Sequence, residues 1–348
     1  MKILVVAPSW IGDTILAQPL LGLLKQQYPD ARIEMLAAAW SAPLLARMAE
    51  VDAVITNPFG HGEFNWSARR ALGRQLASAG FDQAYVLPNS WKSALLPFFA
   101  GIKKRIGYHG EARYLLLNQR HRLDTQRHPQ LVQRYAALAG VDATNTLRPH
   151  LISSPEQQAA ARKALSLPLD SRPVVFCPGA EYGPAKRWPV QRFAELAVKV
   201  GAGEPTKQQG GQAKDAHLAV ANGETAIWLI GSAKDREAGE EIVALSGGKV
   251  LNLCGRTNLE QAIDLIAGAR WVVSNDSGLM HVAAALGRPL TALYGSSSPG
   301  YTPPLSADAT IVTLNLPCSP CFKRECPLGH LDCLKLISTE QVLRFQPH

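Results

Sequence analysis

Lys2-Ile3-Leu4-Val5-Val6-Ala7-Pro8-Ser9-Trp10-Ile11-Gly12-Asp13 opens the chain, and the order of these residues decides the fold class. An unbroken apolar run is what a parallel strand buried on both faces requires. The run ends at Pro8, and a helical pattern follows over Thr14–Tyr28, stopped by Pro29. A strand leading through a short loop into a helix is the first half of a βαβ unit. The alternation recurs: Arg32–Ala37 and Asp82–Leu87 read as strands. It then restarts with a strand at Pro173–Cys177, a helix at Trp188–Lys199 and strands at Ala226–Ile230, Arg270–Ser274 and Leu290–Tyr294. The fold class is α/β.

With 348 residues and 47% hydrophobic content, the chain is expected to form two domains of roughly 150 residues each. A helical segment, Ser154–Leu165, is flanked by prolines at 149, 155, 168 and 173 and marks the boundary region, giving a division into 1–160 and 161–348. Residues 201–224 are Gly/Gln-rich and weakly periodic, the pattern of a flexible insertion without chemistry of its own. No apolar run approaches the ~20 residues of a membrane-spanning helix. Asp13 interrupts the opening apolar stretch and no small-residue cleavage flanks follow it, so a mature cytoplasmic start is expected rather than a signal peptide.

The net charge of +8 is unevenly placed. Residues 1–150 hold 17 Lys/Arg against 10 Asp/Glu, whereas residues 151–348 hold 19 against 18. The segment 92–134 accounts for the excess, with Lys92, Lys103, Lys104, Arg105, Arg113, Arg120, Arg122, Arg127 and Arg134 against Glu111 and Asp124. A solvated surface explains such a run, and so does an anionic partner. No helix-turn-helix, RNA-binding or zinc-finger pattern accompanies the charge, so a phosphorylated or carboxylated ligand is favoured over nucleic acid.

Loops after the carboxyl ends of parallel strands face the ligand crevice, which gives three loops particular interest. Asp13 follows the first strand. Helix capping accounts for it, as does interaction with the helix N-terminus, and a catalytic carboxylate is the sharper alternative. Pro178–Pro189 follows the Val174–Cys177 strand and places Lys186 and Arg187 just ahead of a helix, where they can meet a diphosphate. Ser274-Asn275-Asp276-Ser277-Gly278-Leu279-Met280-His281 follows a third strand and opens an Ala-rich helix whose first N–H groups lack intrahelical partners, an anion cradle. Asp276 as an N-cap and His281 as a packed helix residue are the plainer alternatives. Gly231-Ser232 and Gly295-Ser296 follow two further strands, and several loops thus converge on one ligand. No Walker-type loop is present.

Taken together these stretches resemble a family. Ser274–His281, Gly231-Ser232-Ala233-Lys234-Asp235 and Asn252-Leu253-Cys254-Gly255 are similar to the motifs of glycosyltransferase family 9. Pro178–Pro189, Pro8–Asp13 and Leu87-Pro88-Asn89-Ser90-Trp91-Lys92-Ser93-Ala94 resemble its heptosyltransferase II branch. The resemblance runs from residue 1 to about 305 and weakens in the 201–224 insertion and the C-terminal tail.

The resemblance implies a GT-B fold, two Rossmann-like domains with parallel sheets facing a central cleft. It implies an inverting transferase of Gram-negative lipopolysaccharide core biosynthesis that takes heptose from ADP-heptose, bound by the C-terminal domain. The acceptor, Kdo-lipid A already bearing one heptose, belongs to the N-terminal domain. By matching positions, Asp13 would deprotonate the acceptor hydroxyl, Lys186 would contact the diphosphate and Asp276 would hold the donor heptose. The backbone at Ser277, Gly278, Leu279 and Met280 would bind the diphosphate, and Glu237 would reach the ribose. Ser9, Gly12, Gly231 and His281 lie in the matched motifs as substrate-binding candidates. Lys92, Lys103, Lys104, Arg105, Arg113 and Arg120 are the acceptor-binding candidates, since the implied acceptor carries phosphates and carboxylates. The chain contains no Asp-x-Asp pair, so catalysis is expected to need no divalent ion. The implied location is cytoplasmic, peripheral at the inner face of the inner membrane.

Four of the six cysteines fall close together, Cys318, Cys321, Cys326 and Cys333, with His330 nearby. A structural zinc or iron site, free thiols and disulfides are all open, although a reducing compartment disfavours the last. The resemblance gives these thiols no catalytic role. Competing functions are a sister heptosyltransferase with another acceptor, a GT-B-like sugar-nucleotide epimerase needing no acceptor, and a non-catalytic nucleotide-sugar binding module. Product analysis with and without a truncated core acceptor separates them.

Overall fold

The computed structural model describes residues 1–60, 62–141, 148–201 and 225–347. These form two compact units. Met1–Ile152 with Gly300–Pro303 make the first, and Ser153–Pro299 with Pro304–His348 the second.

In the first unit the strands are β1 (Lys2–Val6), β2 (Arg32–Ala37), β3 (Ala53–Thr56), β4 (Gln83–Val86), β5 (Lys104–Tyr108) and β6 (Gln119–His121). All pair in parallel in the order β3-β2-β1-β4-β5-β6. Its helices are α1 (Ile11–Leu16), α2 (Gln18–Gln27), α3 (Ala42–Leu45), α4 (Trp66–Ala77), α5 (Trp91–Phe99) and α6 (Leu131–Ala137). Leu4, Val6, Ala84 and Val86 on the central strands pack with Leu76 of α4 and Ala94 and Leu96 of α5.

The second unit repeats the plan. Its strands are β7 (Val174–Cys177), β8 (Ile227–Leu229), β9 (Leu251–Asn252), β10 (Trp271–Asn275), β11 (Leu290–Leu293) and β12 (Ala309–Val312). They too are all parallel, in the order β12-β11-β10-β7-β8-β9. Its helices are α7 (Pro155–Ala164), α8 (Val190–Gly201), α9 (Arg236–Leu245), α10 (Leu259–Ala267), α11 (Gly278–Ala285), α12 (Asp332–Lys335) and α13 (Thr339–Leu343). Here Val174, Phe176 and Val273 pack with Trp188, Phe193 and Leu196 and with Leu334 and Ile337 of the C-terminal segment.

Counted within its own unit, each sheet has the strand order 3-2-1-4-5-6. The order reverses between β1 and β4 and again between β7 and β10, and ligands of such sheets bind outside the strand ends at that reversal. The α/β expectation and the two Rossmann-like halves are therefore what the chain forms.

Three details differ from the sequence reading. The helix expected over Thr14–Tyr28 is two helices, broken at Ala17. Pro19 sits in the first turn of α2, where its missing N–H costs nothing. The division falls at Ile152/Ser153 rather than 160/161. α7 belongs to the second unit because it packs on α10, and Ser153 Oγ donates to Asp264 Oδ1 at 2.7 Å. Of the 201–224 insertion, Gly201 ends α8 and the remainder lies outside the described residues.

Candidate functional site

The end of β10 carries Asn275, which is fully buried and ties two strand ends together. Its Nδ2 donates to the Pro178 carbonyl at 2.7 Å and its Oδ1 accepts from Trp188 N at 3.0 Å, so the loop after β7 is fixed at both ends. Within that loop Pro184–Lys186 form a single 3₁₀ turn that presents Lys186. Lys186 Nζ meets Asp276 Oδ2 at 2.5 Å, and the ammonium also lies 5.2 Å from the Tyr182 ring centroid. Asp276 is only 5% exposed, and the lysine beside it supplies the paired charge that such burial demands. Ser277 is the N-cap of α11, and its side chain makes no capping bond. The first N–H groups of the helix therefore keep their capacity to hold an anion.

His281 lies in α11, 5% exposed. Burial first of all pulls its pKa from 6.5 down to about 4, with the Asp276 charge opposing and Lys186 assisting. The imidazole is neutral at physiological pH. Tyr294 at the end of β11 has its phenol pushed well up by burial and then by the Asp276 carboxylate, and its hydroxyl reaches Met280 Sδ at 3.4 Å. The next two hydroxyls are unusual. Ser296 and Ser297 are 1% and 6% exposed, and among the described residues their Oγ atoms have no hydrogen-bond partner. A buried hydroxyl left unpaired costs ~1–3 kcal/mol, and such groups cluster where function requires them.

Asp235 orders the loop after β8. Its Oδ2 accepts from Ser232 N at 2.9 Å and Ser232 Oγ at 2.7 Å, and Arg187 approaches its Oδ1 at 3.4 Å. Gly179 permits this, since a Cβ there would stand 2.4 Å from Asp235 Oδ2. Gly231 packs against the same carboxylate. Glu237 is exposed in the first turn of α9. The second unit thus brings Lys186, Asp276, Ser277, Gly278, Met280 and His281 together around one reversal point.

In the first unit, α1 begins directly after β1 with Trp10, not Asp13, as its N-cap. The capping explanation for Asp13 is thereby removed, while its place in the first turn still suits the helix dipole. Ser9 is exposed in the loop before α1, and Gly12 is half-buried in the first turn of the helix. Two phenols feel the Asp13 charge. Burial first, then Asp13 and Tyr301, push the Tyr135 phenol well above its ordinary range. Tyr301 is raised by burial, with Arg134 opposing and Asp13 adding. Both remain protonated and able to donate near the carboxylate. Tyr301 is held by its carbonyl, which accepts from Leu131 N at 2.9 Å, and by the Arg134 guanidinium 4.7 Å over its ring.

The basic candidates divide into two kinds. Arg113 is 2% exposed, with Nη1 donating to the Pro88 carbonyl at 2.8 Å and Nη2 to Asn89 Oδ1 at 3.3 Å. It braces the loop after β4 from within. Arg105 is spent on the Leu116 and Ile102 carbonyls, each at 2.6 Å. Arg120 donates to the Tyr114 carbonyl at 2.6 Å. Lys103 and Lys104 are exposed and Lys92 is half-buried.

Sequence reasoning gave the tail no part in the site, yet it buttresses it. Phe322 N donates to the Ser296 carbonyl at 2.7 Å, the Arg324 carbonyl accepts from Ala185 N at 3.0 Å, and Tyr182 Oη donates to the Phe322 carbonyl at 2.9 Å. The Cys318–Cys333 segment therefore links the Lys186 turn to the loop after β11. Its thiols are all free of disulfides. Backbone N–H groups of Leu331, Leu328, Gly329 and His330 approach the Cys326 sulfur and hold its pKa below the usual thiol value. The Cys333 thiol is pushed up, chiefly by burial and then by Cys318, Cys326 and Cys321. Among the described residues, no group of three or more His, Cys, Asp or Glu side chains is arranged to hold a metal ion.

Comparison with known proteins agrees with this two-unit fold. The sequence matches the family model Glycosyltransferase family 9 (heptosyltransferase) over residues 69–204 and 215–332. It is 44% identical to lipopolysaccharide heptosyltransferase 2 of Escherichia coli, covering 99% of this chain and 97% of that protein. It is 46% identical to lipooligosaccharide heptosyltransferase 2 of Haemophilus influenzae, covering 90% and 89%. The solved structure of E. coli ADP-heptose lps heptosyltransferase II superposes with a TM-score of 0.83 at 42% identity, over 99% of this chain and 97% of that one. The E. coli heptosyltransferase WaaC with ADP, at 21% identity and a TM-score of 0.69 over 99% and 98%, shares the fold. This chain belongs to glycosyltransferase family 9, the heptosyltransferases.

Proposed function

We propose that the chain transfers L-glycero-D-manno-heptose from ADP-heptose to the heptose-Kdo-lipid A inner core, adding the second heptose with inversion. The observation that carries the donor half is the buried Lys186–Asp276 pair at the start of α11. The near full-length likeness to heptosyltransferase 2 proteins supports the choice of sugar and acceptor.

In the reaction, the acceptor hydroxyl loses its proton to the Asp13 carboxylate as its oxygen attacks the anomeric carbon. The bond from that carbon to the diphosphate oxygen breaks, and ADP departs. A positioned base contributes ~10²–10⁴-fold to such a step. Lys186 and the N–H groups at the start of α11 offset the charge that grows on ADP. Asp276 hydrogen-bonds the donor heptose and keeps Lys186 in place, and Glu237 meets the ribose. Arg113 holds the Pro88-Asn89 loop for the acceptor, while Lys92, Lys103 and Lys104 offer cations to its phosphates and carboxylates. No divalent ion enters this scheme. A transfer assay pairing ADP-heptose with core acceptors that bear zero or one heptose tests the reading. Transfer only to the heptose-bearing acceptor is expected. Transfer only to the heptose-free acceptor would reassign the chain to addition of the first heptose, and donor turnover without acceptor would make it an epimerase or hydrolase.

The acceptor is lipid-anchored, so we place the protein at the cytoplasmic face of the inner membrane. Among the described residues no helix is long and apolar enough to cross a membrane, and the contact is accordingly peripheral. For the C-terminal thiols we propose a structural zinc or iron ion. The amide groups around Cys326 and the nearness of three thiols to Cys333 support this, and a metal would draw the sulfurs together. Elemental analysis of protein purified without added metal should find zinc or iron near one per chain. A value near zero refutes it.

A further inference from the structure

The first unit exposes aromatic surface that its core does not use. Phe64, Trp66, Trp91 and Phe98 are 49%, 48%, 37% and 40% exposed. Together with Phe99 they form one connected cluster on α4, α5 and the segment just before α4. The Phe64 ring lies tilted 5.1 Å from Trp91 and 6.3 Å from Trp66, Trp66 meets Phe99 edge-on at 5.0 Å, and Phe99 meets Phe98 at 5.7 Å. The helices approach closely enough for this because Gly73 of α4 lies against Phe99, where a Cβ would stand 2.4 Å from the Phe99 Cβ. Single exposed apolar residues are ordinary, but a contiguous aromatic patch marks an interaction surface.

Its rim is cationic. Neither α4 nor α5 contains an acidic residue, whereas α4 carries Arg69, Arg70 and Arg74 and α5 carries Lys92. Arg69 is buried with its guanidinium 4.1 Å over the Phe59 ring, but Arg70 and Arg74 are exposed. Arg70 is four residues from Trp66 and shares its helix face. Lys103 and Lys104 are exposed beyond the end of α5, and the Arg105 guanidinium lies 5.4 Å over Phe98. Across residues 62–105 only Glu63 and Asp82 oppose these charges. Tryptophan and phenylalanine ringed by Lys and Arg match the two layers of an anionic bilayer surface, with rings at the headgroup–acyl boundary and cations at the phosphates.

We propose that this face, centred on Phe64, Trp66 and Phe98 and rimmed by Arg70, Arg74, Lys103 and Lys104, docks the enzyme on an anionic phospholipid bilayer. It rests on the membrane placement above and is independent of the transfer chemistry. Co-sedimentation of the full chain with phosphatidylcholine vesicles, with and without a minority of phosphatidylglycerol, tests it. Wild-type protein should bind the anionic vesicles at least ~10-fold better than the neutral ones and lose that preference in high salt. Phe64→Ser, Trp66→Ser and Phe98→Ser combined should weaken binding at least ~10-fold. That variant should keep the wild-type melting temperature and its rate on a water-soluble, lipid-free acceptor. Lys103→Glu with Lys104→Glu should remove the preference for anionic lipid. If wild-type protein binds no vesicles, both the face and the membrane placement fall. If the triple variant binds as wild type does, the face alone falls. If wild-type protein is a dimer that the triple variant dissolves, the face joins two copies and the proposal is overturned.

Discussion

The two units share one scaffold and differ in how their reversal points are prepared. Each has six parallel strands in the same order, with a loop and helix leaving the central strand toward the ligand side. In the second unit the charges are already matched: Lys186 on Asp276, Arg187 near Asp235, and His281 buried as a neutral base. In the first, Asp13 is half-buried and surrounded by protonated phenols. A preassembled charge pair suits a site that must receive an anionic leaving group without reorganising. A carboxylate beside protonated phenols suits one that must take a proton from an incoming hydroxyl. On the proposed reading the same architecture would serve two tasks through a handful of loop residues, as expected where function is grafted on a fold.

The contrast breaks most sharply at Asp13. Asp13→Asn keeps the shape but not the basicity, and kcat should fall by ~10²–10⁴-fold while ADP-heptose affinity, measured by calorimetry, stays at the wild-type value. A variant that retained turnover would end the assignment of proton transfer to the first unit. Lys186→Ala should come next, at ~10²–10³-fold in kcat. It should also destabilise the second unit, because Asp276 would be left buried without its cation. Adding Asp276→Asn should recover the melting temperature without recovering the rate, which separates the pair's structural role from its chemical one.

His281 gives the second unit an acid sensitivity. Its folded pKa of about 4 lies below the ordinary 6.5. Between those values the unfolded chain takes up the proton and the folded chain does not, so stability rises with pH across that window and is lost as pH falls through it. The contribution is about 3 kcal/mol. Denaturant titrations between pH 7 and 4 should therefore show wild type losing about 3 kcal/mol more stability than His281→Gln. Parallel curves would show that the imidazole titrates alike in the folded and unfolded chains.

Much of this was legible in the chain. Lys2–Ala7, Val174–Cys177 and the run ending at Ser274 are apolar without alternation, which marks buried parallel strands and places Asp13, Lys186 and Asp276 at their carboxyl ends. What was hidden is tertiary in origin. Nothing in the spacing of Arg113 distinguishes a buried brace from a surface cation, because only burial against the Pro88 carbonyl makes the difference. Tyr301 is remote in sequence from Asp13 and enters the first unit through a short excursion, Gly300–Pro303, that carries no periodic signal. The tail's support of the Lys186 turn runs through backbone carbonyls at Phe322 and Arg324, and the tail's own side chains do not encode those bonds. The helix break at Ala17 and the boundary at Ile152 likewise depend on what each segment packs against.

The smallest effect is also the one that best tests whether the second unit is built for a ligand rather than for stability. Ser296 and Ser297 bury hydroxyls that nothing among the described residues satisfies. In a purely structural loop, alanine would remove an unpaid desolvation cost and leave nothing else behind, so Ser296→Ala and Ser297→Ala should stabilise the protein by ~1 kcal/mol or less. If the hydroxyls meet the donor, the same substitutions should raise the KM for ADP-heptose several-fold, about the value of one neutral hydrogen bond, and leave kcat nearly unchanged. Opposite signs in melting temperature and donor affinity are thus the expected signature. A fall in both would mean that the serines bond within the folded protein, and the loop after β11 would lose its two unpaired hydroxyls while the charge pair stayed.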